Sequence, residues 1–198
     1  MKKLAIIGAT GSVGETLVET ALQRDDIMLT LLSRDTTGIK AKDPRRERII
    51  TGDVFDKVVL DKVLIGQDVV VVAVDKNITA IAEAVVATMK RVKTTRLIFV
   101  ASMGIYAESK TGATEVREKA PRQAYLDAME IVENADLDFT ILRPGLIDDE
   151  DENYQMIKDV DPASGRQVLR NSIAGVVMEI MAEPQDYRNE IIGIGCIE

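Results

Sequence analysis

The chain has 198 residues, 46% of them apolar and 29% charged, with a net charge of −8. That length suits one α/β core, and the acidic balance argues against direct binding of DNA or RNA, whose affinity comes from Lys and Arg meeting phosphates. Histidine is absent and cysteine occurs once, at Cys196, so within this chain histidine catalysis, histidine metal sites, a four-cysteine zinc site and an internal disulfide are excluded.

The lone cysteine suits a reducing compartment, and Cys196 is expected as a buried residue of a terminal strand. Met1-Lys2-Lys3 precedes an apolar run that ends at Gly8 with no cleavage site in view. The longest apolar run, Val69–Val74, is far short of a membrane span. A cytoplasmic protein with no membrane contact is the expectation.

Short β-branched runs alternate with amphipathic segments. Strands are predicted at Lys3–Ile7, Ile27–Leu32, Arg48–Ile50, Asp68–Val74, Arg96–Val100, Asp138–Leu142 and Glu190–Ile194. Helices are predicted at Val13–Gln23, Asp56–Ile65 with Asp56 as cap, Ile78–Val92, Pro121–Asn134, and Asn171–Met181 with Asn171 or Ser172 as cap. Residues 102–120 read as a loop, 147–165 as irregular, and Arg143-Pro144-Gly145 as the stop of the sixth strand. Arg45 and Arg46 read as a solvated loop, as does the acidic run 148–152. The unbroken valines at 69–72 argue for burial on both faces of a parallel sheet. The whole chain, 1–198, is expected to form a single domain of α/β class. Its sheet is doubly wound and mostly parallel, with helices on both faces.

The first strand runs into "IIGATGSVGETL", where Gly8, Gly11 and Gly14 lie three apart. A glycine-rich turn between strand and helix can cradle a pyrophosphate. Gly8 permits the turn, Gly11 the approach of the anion, and Gly14 close packing of the helix on the strand. The helix start at Ser12 and Val13 offers free N–H groups, and the Thr10 and Ser12 hydroxyls add donors. A purely structural turn is the competing reading. No Gly-Lys-Ser/Thr follows, which argues against ATP or GTP hydrolysis. At the end of the second strand an NAD site usually carries an acidic residue, whereas this chain has Ser33-Arg34 with Asp35 one place later. The planar Arg34 fork suits a 2′-phosphate and so favours NADP over NAD.

In this light the chain resembles an atypical short-chain dehydrogenase/reductase of the NmrA-like NAD(P)-binding group, a Rossmann-like family. Six motifs carry the likeness: "GATGSVG", "SR" at 33–34, "GDVFD" at 52–56, "VVVVAVD" at 69–75, "LIFVASMGIY" at 97–106 and "FTILRPGLI" at 139–147. The resemblance implies that Asp53 and Val54 flank the adenine and that Ala73 and Val74 line the cofactor. It also implies Ala101, Pro144, Gly145 and Leu146 around the nicotinamide end, and an active-site serine at Ser102. Many members carry Tyr-x-x-x-Lys after the fifth strand. Here Tyr125 stands in place, but Met129 occupies the lysine position. A tyrosine without that lysine is a poor base at neutral pH, yet it can still donate a proton or hydrogen bond. Tyr106 is a second candidate donor.

Two functions follow as expectations. One is an NADPH-dependent reductase of a small conjugated acceptor such as a flavin, a quinone or a similar carbonyl, with Ser102, Tyr125 and Tyr106 as candidate catalytic groups. The other is a non-catalytic NADP-binding sensor acting through a protein partner. A homodimer is compatible with both.

Overall fold

The computed structural model describes residues 1–101, 119–147, 155–158, 167–168 and 170–195. Its elements run β1 (Lys2–Ile7), α1 (Ser12–Leu22), β2 (Ile27–Ser33), β3 (Glu47–Thr51), α2 (Lys57–Leu64), β4 (Val69–Val72), α3 (Ile78–Val92) and β5 (Arg96–Val100). There follow α4 (Lys119–Glu133), β6 (Asp138–Pro144), β7 (Leu146–Ile147), β8 (Gln155–Lys158), β9 (Gln167–Val168), α5 (Arg170–Ala182) and β10 (Glu190–Gly195).

One sheet holds the strands in the order β3-β2-β1-β4-β5-β6-β10-β8. Seven of these run parallel, and β8 pairs antiparallel with β10 at the edge. Strand order reverses between β1 and β4, each of which pairs directly with the other. In open α/β sheets that reversal opens a crevice beyond the carboxyl ends of the strands.

Side chains alternate between the two faces, and both faces are dry. Ala5, Ile7, Val70, Val72, Leu97 and Phe99 join α2, α3 and α4 in one core, while Leu4, Ile6, Val69, Val71, Ile98 and Val100 join α1 and α5 in the other. Four consecutive valines in β4 are therefore buried without alternation, as a central parallel strand requires.

Asp56 caps α2, its Oδ1 accepting from the N–H groups of Val58 and Val59 at 2.8 and 3.2 Å. Elsewhere the sequence expectations need correction. Helix α5 begins at Arg170, so Asn171 and Ser172 lie inside its first turn rather than capping it, and Ser172 is buried. Helix α4 starts at Lys119, so Pro121 is its third residue, still within the turn whose N–H groups have no partner in the helix. Strand β6 continues through Pro144, because the ladder passes on through the Gly145 N–H, which donates to the Ile194 carbonyl at 2.9 Å. The stretch 147–165 contains β8, a strand that exists through its pairing with β10 rather than through local propensity. Arg46 is not a solvated loop residue: it donates to the carbonyls of Leu22, the last residue of α1, and Arg24, and to Asp43. Ser102, Tyr106, the remainder of the 102–118 loop, the acidic run 148–152 and Cys196 lie outside the described residues.

Candidate functional site

A cleft of about 270 Å³ opens where the topology requires it, beyond the carboxyl ends of β1, β2, β3 and β4. Of the residues singled out from sequence, Gly8, Thr10, Gly11, Ser33, Arg34, Asp53, Val54, Ala73 and Val74 line it together. The glycine turn forms its floor. The Thr10 and Ser33 hydroxyls share a hydrogen bond of 2.5 Å, and the Gly52 N–H donates to the Ser33 carbonyl at 3.0 Å. These two bonds tie the first turn and the end of β3 to the end of β2.

The three glycines have different physical reasons. Gly8 adopts φ +91°, and a side chain there would overlap the Ala73 carbonyl; a Cβ on Gly14 would overlap the Gly8 carbonyl and lie 2.9 Å from the Ala9 Cα. Both are demanded by the fold itself. Gly11 is not: its φ is −75°, and a Cβ would meet only the Gly8 oxygen at 3.3 Å and the Ala73 oxygen at 3.8 Å. The space beyond Gly11 therefore faces the cleft, as close approach of a pyrophosphate needs.

The electrostatics point the same way. Gly11 is the N-cap of α1 and has no side chain to satisfy the first turn. Helix α3 has Asn77 as its N-cap, held at φ 52° with no side-chain cap bond, and Asn77 also lines the cleft. Uncapped N–H groups and positive dipole ends favour an anion. Arg34 and Lys76 both line the cleft, both are exposed, and among the described residues neither forms an ion pair. Asp35 does not line it. Its carboxylate accepts from the Thr37 N–H at 2.9 Å and from the Thr37 hydroxyl at 2.7 Å, bonds that hold its pKa below the usual carboxylate range. The donor set of an uncapped helix, free N–H groups and two unpaired cations fits a phosphate-bearing dinucleotide.

Several sequence candidates stand apart from this wall. Gly14 packs beneath the turn, and Ser12 and Val13 sit in the first turn of α1. Ala101, Pro144 and Gly145, at the ends of β5 and β6, do not line the cleft. Leu146 lies in β7, paired with Gln167 of β9. Conversely, Ile7, Leu32, Gly52, Phe55, Asp75, Lys76, Asn77 and Ile81 line the cleft without having been singled out. Gly52, Phe55 and Asp75 belong to motifs already quoted, whereas Lys76 and Asn77 follow them with no pattern of their own.

Tyr125 is half-buried on α4 against the core shared by α2 and α3. Its neighbour Ala124 accepts a hydrogen bond from the Thr79 hydroxyl at 2.9 Å, which fixes α4 to the first turn of α3. Burial raises the pKa of the phenol, and the Asp75 carboxylate raises it further. Met129 is 2% exposed and fills the same core. The position of the usual lysine is thus closed to solvent and carries no donor.

Comparisons with known proteins agree with this geometry. A Rossmann-fold NAD(P)-binding family protein from Shigella flexneri is 31% identical, with a TM-score of 0.85 over 99% of this chain and 94% of that one. A short-chain dehydrogenase/reductase from Veillonella parvula, solved in complex with NADP, is 23% identical at a TM-score of 0.88, over 98% and 94%. An oxidoreductase from Lactococcus lactis shares the fold at 18% identity and a TM-score of 0.81, over 99% and 91%. The family model described as NAD(P)H-binding matches residues 8–184. With the Rossmann-like sheet, the glycine turn and this match all in one chain, the protein belongs to the NAD(P)H-binding family of Rossmann-fold proteins.

Proposed function

We propose that the chain is an NADPH-preferring reductase of a small conjugated acceptor, a flavin, quinone or similar carbonyl. The observation that carries the preference is Arg34: it lines the cleft at the end of β2 with no ion pair among the described residues, while Asp35 is turned to Thr37. Its guanidinium would hold the 2′-phosphate. Gly11 and the first N–H groups of α1 would hold the pyrophosphate. When bound, NADPH supplies a hydride. The Veillonella neighbour with NADP and the Lactococcus oxidoreductase support the cofactor and the reaction class.

The chain's own contribution to chemistry is a proton held in reserve. Burial and Asp75 both disfavour the Tyr125 phenolate, so the hydroxyl stays protonated throughout the neutral range. Tyr125 is thereby suited to donate to an acceptor being reduced and unsuited to abstract a proton from an alcohol. That asymmetry favours reduction, in a cytoplasmic setting where the lone cysteine stays reduced.

An acceptor screen tests the proposal. Quinones or flavins should accelerate NADPH oxidation, and Tyr125→Phe should lower that rate about a hundredfold, the lower end of the usual range for a lost acid, with cofactor affinity unchanged. Rate loss from Tyr125 ionisation is expected only at a higher pH than for an ordinary phenol, because burial and the Asp75 carboxylate raise its pKa. One observation favours a second reading, a non-catalytic NADP sensor with a protein partner: Met129 is sealed in the core where a catalytic lysine would stand. NADPH binding with no acceptor ever raising its oxidation would select that reading.

A further inference from the structure

Helix α2 buries one side and leaves an apolar stripe on the other. Leu60, Val63 and Leu64 pack into the core shared with α3 and α4, whereas Val58 and Ile65 are each 62% exposed. Their spacing of two helical turns puts them on one face, with exposed Lys62 and half-exposed Asp61 between them. Phe55, 48% exposed, extends the stripe ahead of the first turn. The large apolar side chains exposed among the described residues are Met1, Met28, Phe55, Val58 and Ile65, so one short segment gathers three of the five. Exposed apolar surface concentrated in this way marks an interaction site.

The segment is held rigidly. Val54 is buried just ahead of it, the Phe55 N–H donates to Asp53 Oδ1 at 2.9 Å, and Asp56 caps the helix. At the far end the Ile65 N–H donates to the Asp61 carbonyl at 3.0 Å, and the Asp61 carboxylate pairs with Arg91 of α3. A partner that covers this face therefore has little backbone to order.

Charge indicates which partner fits. The chain carries a net charge of −8, so two copies repel over most of their surfaces. Helix α2 differs: its charged residues are Lys57, Asp61 and Lys62, and neither lysine forms an ion pair among the described residues. Their order is self-complementary. Laid antiparallel on its own copy, about a two-fold axis between positions 61 and 62, the helix sets Val58 against the partner's Ile65 and Lys62 against the partner's Asp61. Lys57 then comes to the C-terminal end of the partner helix, where the dipole is negative. The Arg91 pair engages Asp61 Oδ1, and a carboxylate has further acceptor sites for a lysine.

We infer that the outer face of α2 is the interface of a two-fold homodimer, built on the Val58 contact with the partner's Ile65 and the Lys62 pair with the partner's Asp61. A seam of one eight-residue helix on its copy belongs with the small specific interfaces, under about 1,200 Å² in total, so the dimer is reversible. This assignment does not depend on the cofactor reading.

Sedimentation velocity of the full chain over a wide concentration series tests it. The unaltered chain should pass from monomer to dimer as concentration rises. Val58→Glu sets a carboxylate against the partner's Ile65. The contact occurs twice in the dimer, so a tenfold loss at each becomes a loss of about a hundredfold in association. Thermal unfolding should hold, because Val58 is exposed and an acidic residue suits the first turn of a helix. Lys62→Asp should also weaken association, by setting like charges together at the axis. Adding Asp61→Lys to it should restore the dimer, which a merely damaged fold would not do. If the unaltered chain stays monomeric throughout, if Val58→Glu dimerises as well as it does, or if the charge exchange restores nothing, the interface is overturned.

Discussion

Arg96 and Arg34 occupy opposite ends of the same sheet. At the amino ends of β5 and β6, Arg96 is 5% exposed and donates to the carbonyls of Asp138 and Leu97 and to the Thr140 hydroxyl, at 3.0, 3.4 and 2.6 Å. Burial pushes its pKa down to about 10, with Asp138 pulling it up and Arg188 pulling it down again. Beyond the carboxyl ends of β2 and β4, Arg34 and Lys76 are exposed and without ion pairs among the described residues. Within the carboxyl end the helices differ, since the start of α2 is closed by Asp56 while α1 and α3 open onto the cleft with no side-chain cap. One end has committed its donors to the fold; the other keeps them for an anion.

The glycines extend the comparison, and the variants that break it can be ranked. Gly14→Val drives a side chain into the Gly8 carbonyl and the Ala9 backbone, and should cost about 4 kcal/mol of stability in urea unfolding, at the upper end for a single substitution. Arg96→Ala strips donors from two carbonyls and a buried hydroxyl. A loss of about 3 kcal/mol is expected there, with dinucleotide affinity unchanged in calorimetry. Gly11→Val should do the reverse. It should cost only about 1 kcal/mol in unfolding, because Val is a poorer N-cap than Gly and its Cβ meets the Gly8 oxygen at 3.3 Å, yet lose roughly a hundredfold in NADPH affinity, or about 2.7 kcal/mol. Arg34→Ala should weaken NADPH about tenfold, or about 1.4 kcal/mol, and leave NADH within about twofold. Equal loss for both nucleotides would remove the 2′-phosphate from Arg34.

Much of the carboxyl end could be read from the sequence because it is local. A strand, three glycines and a helix start lie within seventeen residues, and each imposes its geometry on its immediate neighbours. The same holds for Asp56, whose bonds reach only two and three residues ahead. What escaped was long-range. Strand β8 exists by pairing with β10, more than thirty residues away in sequence. Arg46 is held half-buried, donating to the carbonyls of Leu22 and Arg24. Phe55 lies in the motif at 52–56, but only its two fixed neighbours show that the turn holds its ring out of the core. Lys76 and Asn77 belong to the cleft because β4 lies beside β1, a pairing that no spacing in the sequence records.

The division of labour between Gly14 and Gly11 is the most exposed part of the account, and one experiment reaches it. The unaltered chain and Gly11→Val would be titrated with NADPH by calorimetry at matched salt, each checked by thermal unfolding. Firm binding is expected of the first and a loss of about a hundredfold in the second, with unfolding lowered by no more than about 1 kcal/mol. Equal affinity in the two chains, or no binding by either, would contradict it and leave the glycine turn a structural feature alone.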